Sequence, residues 1–451
     1  MTQRTEHIFD VAIVGGGLGG LATAALLARR GLAVVVLERA SALGGRAATH
    51  VHEGFSFNQG AHALYRGGAA ARVLGGLGVR WTGKRPPASG VAELGGQPYA
   101  LPATVASLLT TGLLGWSAKV QGARLLARLG SMDLGPLRGV TLGAWLDANV
   151  PDEGMRGAIE AFIRVTTYVN APSLLDAAAA IEQLRLGQRS GVVYLDGGWQ
   201  TLVDGTAAVA RAAGAVVRSG ARVTCAAPSG TSGQSGAGWR VSLHEGGRDG
   251  AVECRALVLA TGSAAARSIV ASEALAAWAN RAVPVRAACL DVALTALPRP
   301  KTTFALGVDR PLYFSVHSRS ARLAPDGAAL VSTMKYLPPT EPPDAARDAA
   351  ELEAWLDRLQ PGWRDVLVDR RWLPAMVASS ALVTASGGGL AGRPGPRVPD
   401  APGVFVVGDW VGGDGMLLDA SLASAEGAAA ELAESLGARA APSAAQMPKV
   451  A

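Results

Sequence analysis

The sequence predicts an α/β fold in which a discontinuous, mainly parallel-sheet domain is interrupted by an inserted α+β domain. Two observations predict this arrangement. Near the start of the chain, residues 10–46 follow the order strand, glycine-rich turn, helix and strand. Near the end, a strand at 404–407 and a closing helix at 421–436 are typical of a return to the same sheet. The chain between them is helix-rich at about 69–186 and β-rich afterwards.

The first turn carries three spaced glycines. A strand at 11–14 precedes Gly15, Gly17 and Gly20, and an Ala/Leu-rich helix at 18–30 ends at Gly31. The first glycine allows a tight turn, the second lets the backbone approach a pyrophosphate, and the third allows close packing of helix on strand. This spacing predicts a Rossmann-like dinucleotide-binding unit whose helix N-terminus faces the phosphates.

An acidic residue follows the second strand of this unit. The strand at 33–37 leads into Glu38, at the distance from the glycines where a carboxylate can bind both hydroxyls of an adenosine ribose. Gly387, Gly389 and Gly392 repeat the glycine spacing, but the prolines that follow them cannot start a helix. We therefore predict a loop there, and a single dinucleotide-binding unit.

The remaining pattern predicts further elements and the domain boundaries. Strands are expected at 192–195, 216–217, 220–225, 239–243 and 256–259, a second sheet at 285–336, and helices at 201–213 and 344–359. A flexible surface loop is expected at 228–236 and a disordered tail at 441–451. The nucleotide domain would comprise 1–68, 190–284 and 388–440, and the substrate domain 69–189 and 285–387.

Composition narrows the class of protein. The 451 residues carry a net charge of +6 without a basic block, which argues against a nucleic-acid partner. Three cysteines without a C-x-x-C pair argue against a disulfide framework and against a zinc site, and we expect each to be a small buried side chain. The polar start of the chain shows no signal peptide, so a cytoplasmic location is expected.

One uncharged segment, residues 94–118, is long enough in principle to cross a bilayer. Its prolines and glycines argue against a crossing helix, and basic residues follow it at roughly helical spacing. Two interpretations stay open. The segment is either an apolar wall of the inserted domain or a peripheral membrane contact through which a lipid-like substrate enters.

Motifs at both ends carry a family resemblance. Leu43-Gly44-Gly45-Arg46 follows Glu38, and the C-terminal part contains 403–410, GVFVVGDW, and 415–421, GMLLDAS. Together they resemble the flavin-dependent superfamily of phytoene desaturases, protoporphyrinogen oxidases and monoamine oxidases, and the phytoene-desaturase-like proteins most. The resemblance covers both ends and residues 192–262, and it is weak across the two insertions.

The resemblance implies FAD and a set of positions that would hold it. These are Gly15, Gly17, Leu18, Gly19, Gly20, Glu38, Arg39, Gly44, Gly45, Arg46, Gly60, Ala61, His62, Val223, Thr261, Gly262, Gly408, Asp409, Met416, Leu417 and Leu418. Arg46 would lie near the pyrophosphate and the ring edge, and Asp409 would bind the ribityl chain. The helix starting near Leu418 would direct its amides at the pyrimidine side of the flavin. No metal site is expected.

The same residues also allow plainer interpretations. Arg46 could form a surface ion pair, Asp409 could cap a helix, and His62, the candidate catalytic residue, could be a structural histidine. Trp410 is the one aromatic residue near the last helix, so the two-ring frame of monoamine oxidases is expected to be incomplete. Lys335 could imitate the lysine that holds water beside flavin in amine oxidases, although a solvated strand end explains it equally.

The resemblance implies an oxidoreductase that removes hydride from a largely apolar substrate to form a C=C or C=N bond. Electrons would leave to dioxygen, a quinone or another carrier, and without a second βαβ unit no dedicated NAD(P)H is expected. The alternatives are an amine or amino-acid oxidase, a protoporphyrinogen oxidase and a redox-neutral isomerase. From another class comes a flavin-free carrier of lipids or prenylated proteins, similar to Rab GDP-dissociation inhibitors.

Overall fold

The computed structural model describes residues 8–229 and 238–438. In chain order its strands are β1 Ile8–Val14, β2 Val34–Glu38, β3 Thr49–His52, β4 Phe55–Asn58, β5 Leu64–Tyr65, β6 Gly83–Lys84, β7 Val91–Leu94, β8 Gln97–Ala100, β9 Val192–Leu195, β10 Val216–Ser219, β11 Arg222–Ser229, β12 Gly238–Glu245, β13 Arg248–Leu259, β14 Val285–Leu294, β15 Phe304–Gly307, β16 Leu312–Val316, β17 Ala329–Leu337, β18 Leu367–Ser379 and β19 Val404–Val406.

The helices of the same residues alternate with these strands at both ends and cluster in the middle of the chain. In chain order they are α1 Leu18–Ala28, α2 Ala69–Gly76, α3 Val105–Thr110, α4 Trp116–Leu129, α5 Leu142–Asn149, α6 Glu153–Thr167, α7 Ala177–Ser190, α8 Gln200–Ala212, α9 Ser263–Ile269, α10 Glu273–Arg281, α11 Ala345–Leu359 and α12 Leu417–Ser435.

The first sheet combines strands from both ends of the chain and from its middle. Its order is β10-β2-β1-β13-β12-β11, with β19 paired to β13. The strands β10, β2, β1, β13 and β19 run parallel to one another, whereas β12 pairs antiparallel with β13 and β11 pairs antiparallel with β12. Helices α1, α8 and α12 pack on one face of this sheet around a shared apolar cluster. The Rossmann-like α/β architecture predicted from the sequence is therefore confirmed.

The second sheet is formed by strands β7 and β8 together with β14 to β18. Its order is β18-β14-β17-β16-β15-β7-β8. Helix α11 covers its outer face with Leu352, Trp355 and Leu356, all fully buried. The inner face, with helices α3 to α7, encloses a separate apolar cluster. The division into a nucleotide domain and a substrate domain stays a proposal, and each sheet is the centre of one of them.

Several elements differ from the sequence expectation. The β7–β8 hairpin lies inside the segment expected to be helical. Local periodicity does not reveal it, because β7 pairs with β15, which is more than two hundred residues further along the chain. Strand β13 is twelve residues long, not four. Helix α12 begins at Leu417, four residues before the expected start. The expected loop at 228–236 lies largely outside the described residues, and the expected tail at 441–451 lies wholly outside them.

The cysteines follow the expectation in two cases of three. Cys254 and Cys289 are buried, but Cys225 is exposed. A register shift between Val223 and Cys225 interrupts the inward-outward alternation of β11, so the side chain of Cys225 turns outward. Expected burial of Cys225 is therefore wrong.

The uncharged segment at 94–118 is divided among β8, α3 and the start of α4. Within residues 8–229 and 238–438, no helix is long and apolar enough to span a membrane.

Candidate FAD and substrate site

A crevice of about 540 Å³ opens at the carboxyl ends of β1, β2 and β13 and extends toward α6 and β18. Ligands collect at this edge of a parallel sheet. Most of the residues predicted to bind a cofactor line the crevice, namely Gly15, Gly17, Leu18, Gly19, Glu38, Arg39, Gly44, Gly45, Arg46, Ala61, His62, Val223, Thr261, Gly262, Gly408, Asp409, Leu417 and Leu418.

The three glycines of the first turn have different surroundings. A Cβ atom on Gly20 would lie 2.0 Å from the Gly15 carbonyl oxygen, and one on Gly15, with φ of +114°, would lie 2.5 Å from the Ala260 oxygen. A Cβ atom on Gly17 would meet one atom within 4 Å, the Gly44 oxygen at 3.8 Å. Gly15 and Gly20 are therefore required by packing, whereas Gly17 keeps open the space above the helix.

Two helices begin at the crevice, and no N-cap side chain accepts a hydrogen bond from their first backbone amides. The N-cap residues are Gly17 for α1 and Met416 for α12, and neither provides a side-chain cap. Leu417, the first residue of α12, has a left-handed φ of +55°, a conformation that costs a leucine about 1–2 kcal/mol. Because helix N-termini attract negative charge, the crevice can hold anionic groups at two points along its length.

The end of the crevice next to the first glycine turn is shaped by Glu38. Its carboxylate accepts hydrogen bonds from the Gly16 amide at 2.7 Å and the Ala40 amide at 2.8 Å. This fixes the glycine turn against the end of β2. Arg222, Ser268 and Ile269 line the same end and were not predicted from the sequence. Ser268 and Ile269 lie on the short helix α9, for which the sequence gives no binding motif.

The central part of the crevice contains an ion pair between distant parts of the chain. Arg46 Nη1 donates to Asp409 Oδ2 at 2.6 Å, and the Ser380 amide donates to the same oxygen at 2.9 Å. Burial raises the pKa of Asp409, but the Arg46 charge and these hydrogen bonds outweigh burial and hold that pKa below 3.8. Asp409 Oδ1 is buried without a protein partner. One carboxylate oxygen is thus left to accept a hydrogen bond from a ligand.

The segment that carries His62 is fixed from several sides. Because a carbonyl oxygen only accepts, the 3.0 Å contact to Gly60 requires a hydrogen on His62 Nδ1. The His62 ring meets the Trp199 ring edge-on at 4.7 Å, and Tyr168 Oη donates to the Ala61 oxygen at 2.5 Å. Burial lowers the pKa of His62, so its imidazole is neutral near pH 7. Its catalytic role stays a prediction.

The sequence matches one known protein family over most of its length. Residues 10–429 match the family model described as FAD dependent oxidoreductase. The chain belongs to this FAD-dependent oxidoreductase family. Its cofactor is accordingly FAD, and it is an enzyme. The predicted resemblance to the desaturase and amine oxidase superfamily is confirmed at this level.

Individual relatives match either a short segment or the fold. The phytoene desaturase of Cercospora nicotianae is 44% identical over 67 residues, 15% of this chain and 11% of that protein. The all-trans-retinol 13,14-reductase of Macaca fascicularis is 41% identical over 64 residues, 14% of this chain and 10% of its own length. The matched part therefore spans about a tenth of these curated relatives.

The solved structure of a putrescine oxidase bound to putrescine superposes with a TM-score of 0.73. The superposition covers 95% of this chain and 99% of that one, at 17% identity. At this identity the likeness shows the shared fold alone.

The residues of the FAD-dependent oxidoreductase fit its cofactor. The open space above Gly17, the two uncapped helix N-termini and the unpartnered Asp409 oxygen are features that a dinucleotide with a ribityl chain would use. Gly44 and Gly45, both with positive φ, turn the backbone so that Arg46 reaches the centre of the crevice. The assignment of individual contacts to FAD remains a proposal.

Three residues expected to bind FAD do not line the crevice. Gly20 packs α1 on the glycine turn, and Gly60 packs against Cys289, whose sulfur would lie 2.9 Å from an added Cβ. Met416 is buried against Ala179 and Val383. We assign these three residues to packing behind the crevice wall.

The structure places both Trp410 and Lys335 outside the lining of the crevice. Trp410 is buried outside the crevice and donates to the Thr261 oxygen at 2.9 Å, so it supports the Ala-Thr-Gly turn. The aromatic residues that do line the crevice are Tyr65, Tyr168 and Trp199, and each comes from a different element. Lys335 lies on the outer face of β17 and pairs with α11 through Asp348 and Glu351, each at 2.7 Å. The expectation that Lys335 could act like the lysine beside flavin in amine oxidases is therefore wrong.

Asp291 is a buried carboxyl of the second sheet that lies opposite Arg371 in the pairing of β14 with β18. Burial raises its pKa from 3.8 to about 7, against the effects of Ser332 and Arg371. Arg371 in turn donates to the oxygens of Phe57 and Asn58, just before Gly60. The buried carboxyl therefore lies behind the guanidinium that holds the approach to His62.

Asp291→Asn is expected to stabilise the protein in alkali and not in acid. Because folding raises this pKa, the stabilising contribution of the protonated carboxyl is complete below pH 3.8 and is lost as pH rises to about 7. An amide has no such loss, so the unfolding free energy should rise by on the order of 2–4 kcal/mol at about pH 8, and little at about pH 4. Urea unfolding at both values measures it, with exposed Asp326→Asn as control. An equal increase in unfolding free energy at both pH values would contradict the burial of a neutral carboxyl at position 291.

Proposed function

We propose that this FAD-dependent oxidoreductase dehydrogenates a largely apolar substrate to form a C=C or C=N bond. The observation that carries the proposal is the lining of the crevice beyond the Arg46–Asp409 pair. There the wall is formed by Ala63, Val165, Met376 and similar apolar side chains. A site of this kind binds hydrocarbon through burial and needs few polar contacts.

The curated relatives also support an apolar substrate. Their names denote reactions of phytoene and retinol, which are hydrocarbon-rich molecules, and one of these reactions is a desaturation while the other is a reduction. A site able to exchange hydrogen with such a substrate is consistent with either direction. We favour removal of hydrogen, with dioxygen, a quinone or another carrier as the final acceptor.

The protein groups around the site have separable tasks. FAD, when bound, supplies the acceptor for one hydride, which carries the two electrons of the reaction. The N-terminus of α12 stabilises negative charge near Leu417, and the Arg46–Asp409 pair fixes the centre of the crevice. Tyr168 and Trp199 hold the Ala61–His62 backbone and cover it from water. Positioning and exclusion of water are thus the contributions of the chain.

Anaerobic titration of the holoenzyme tests the proposal. We expect acyclic or cyclic polyene precursors to bleach the flavin absorbance once per enzyme, and simple amines to leave it oxidised. Bleaching by amines, with peroxide released on admission of air, would overturn the proposal in favour of an amine oxidase. Repeated conversion without any acceptor would instead identify a redox-neutral isomerase, and rapid bleaching by NADPH would overturn the expectation that no nicotinamide is used.

The amine oxidase is the second candidate because the crevice contains one further carboxyl. Asp419 lines it next to Tyr65 and accepts from the Ala70 amide at 2.8 Å, while its other oxygen has no partner. Burial raises its pKa to about 6. A carboxylate beside aromatic rings could bind a substrate ammonium. Its bond to the N-terminus of α2 gives it a structural task, which is why we rank this candidate second.

A further inference from the structure

Exposed apolar side chains are concentrated on one small part of the surface. Among the described residues, the large hydrophobic side chains that are exposed include Val105 at 57%, Leu109 at 43% and Trp116 at 71%. Val105 and Leu109 lie four residues apart on α3, and Trp116 begins α4. Three such side chains within twelve residues form a patch, unlike the isolated exposed hydrophobics that are normal on protein surfaces.

Helix α4 continues this patch along its outward face. Its buried residues are Ala118, Gly122 and Leu129. At 3.6 residues per turn, the opposite side carries Trp116, Val120 and Ala127 within an arc of about 40°, and of these Trp116 and Ala127 are exposed while Val120 is half-buried. An exposed tryptophan in line with further apolar residues on the outward face is not explained by packing of the helix on its own domain.

Basic residues border the outward face. Lys119 lies on one side of this apolar strip, and Arg124 and Arg128 lie on the other. Within the described parts of the chain, none of these three forms an ion pair at 4.0 Å or less. Residues 94–132 contain these three basic residues and no acidic one. An apolar strip with basic borders is the pattern of helices that lie in the interface of an anionic bilayer.

The underside of the patch leads toward the substrate end of the crevice. Leu108, Leu113 and Leu114 are buried beneath it and belong to the same apolar cluster as Ala61. Ala61 lines the crevice beside His62. One continuous apolar cluster therefore lies between this surface and the crevice.

We propose that the surface formed by Val105, Leu109 and Trp116 with Lys119, Arg124 and Arg128, the α3–α4 surface, docks on an anionic lipid bilayer. The first acidic residue after this segment in the chain is Asp133, which accepts a hydrogen bond from the Gly135 amide at 2.9 Å. The apolar side chains enter the interface while the basic ones bind headgroup phosphates. Delivery of an apolar substrate by this route rests on the proposed function, whereas docking does not.

Vesicle cosedimentation of the holoenzyme tests docking. We expect binding to vesicles of phosphatidylcholine with phosphatidylglycerol, weaker binding to phosphatidylcholine alone, and a blue shift of tryptophan fluorescence on binding. The Val105→Ser, Leu109→Ser, Trp116→Ser triple variant should lose about tenfold or more of its partitioning. Val51→Ser, at a side chain 63% exposed on β3, is the matched control and should bind as the parent does.

A charge-matched pair tests the basic border. Lys119→Gln, Arg124→Gln, Arg128→Gln should weaken binding to the anionic vesicles by about tenfold or more. Arg248→Gln, Arg281→Gln, Arg319→Gln removes the same charge from exposed positions elsewhere and should change binding little. Unchanged binding in both patch variants would overturn the proposal. The proposal would also be overturned if the parent protein did not bind vesicles but self-associated, while the apolar triple variant was monomeric. The surface would then join two copies of the chain. Flavin content and polyene turnover in detergent remain unchanged in either case, which separates this result from a failure of the proposed function.

Discussion

Gly17→Val is expected to abolish FAD binding while leaving the fold intact. An added Cβ atom at position 17 would meet one protein atom within 4 Å, the Gly44 oxygen at 3.8 Å, and the backbone there has φ of −78° and ψ of 176°, which any residue adopts. The apoprotein therefore has room for valine. The side chain instead occupies the space between the glycine turn and a bound pyrophosphate, so we expect FAD affinity to fall by about a hundredfold or more.

The measurement is the flavin content of the purified protein, FAD titration of the apoprotein and its thermal unfolding. Gly115→Val is the matched control, because Gly115 is also an extended helix N-cap with nothing within 4 Å and lies away from the crevice. It should keep full flavin. Gly20→Val is the opposite case and should prevent folding, since its Cβ would lie 2.0 Å from the Gly15 oxygen. Normal FAD affinity in Gly17→Val would contradict a pyrophosphate above this turn.

The nucleotide end of the site could be predicted because its signals are local. Gly15, Gly17, Gly20 and Glu38 lie within one βαβ unit, and each has a physical task that a short stretch of sequence specifies. The strands of that unit are buried on both faces, so they form continuous apolar runs that are easy to recognise. The family model then matches nearly the whole chain, and the fold follows.

Arg46, Asp409 and Ala61 were predicted one by one, but their contacts with each other and with Tyr168 could not be, because these contacts are long-range. Arg46 and Asp409 are 363 residues apart in sequence. Tyr168 reaches Ala61 across 107 residues, from the left-handed end of α6. No periodicity or motif marks Tyr168, whereas Trp410 stands next to a motif and yet faces the core. Side-chain direction is decided by tertiary packing, which neither a motif nor a periodicity specifies.

Asp409→Asn is expected to cost about 1–3 kcal/mol of unfolding free energy near neutral pH. The change leaves Arg46 without a counterion and converts the strong acceptor of the Ser380 amide into a weaker one. We place the loss below that of a fully buried pair because the Arg46 side chain is 43% exposed to the crevice. Holoenzyme formation should weaken as well, since the free Oδ1 of Asp409 is the acceptor offered to the cofactor.

The pH dependence of this loss identifies its cause. Folding depresses the pKa of Asp409, so the ionised carboxylate contributes stability that is present above pH 3.8 and disappears as pH falls through the lower folded value. The difference between parent and Asp409→Asn, measured by urea unfolding of the apoproteins, should therefore be constant near neutral pH and shrink in acid. Asp326→Asn makes the same chemical change on an exposed loop and should have no effect. A difference that persists undiminished in strong acid would show that shape, and not the charge beside Arg46, makes position 409 important.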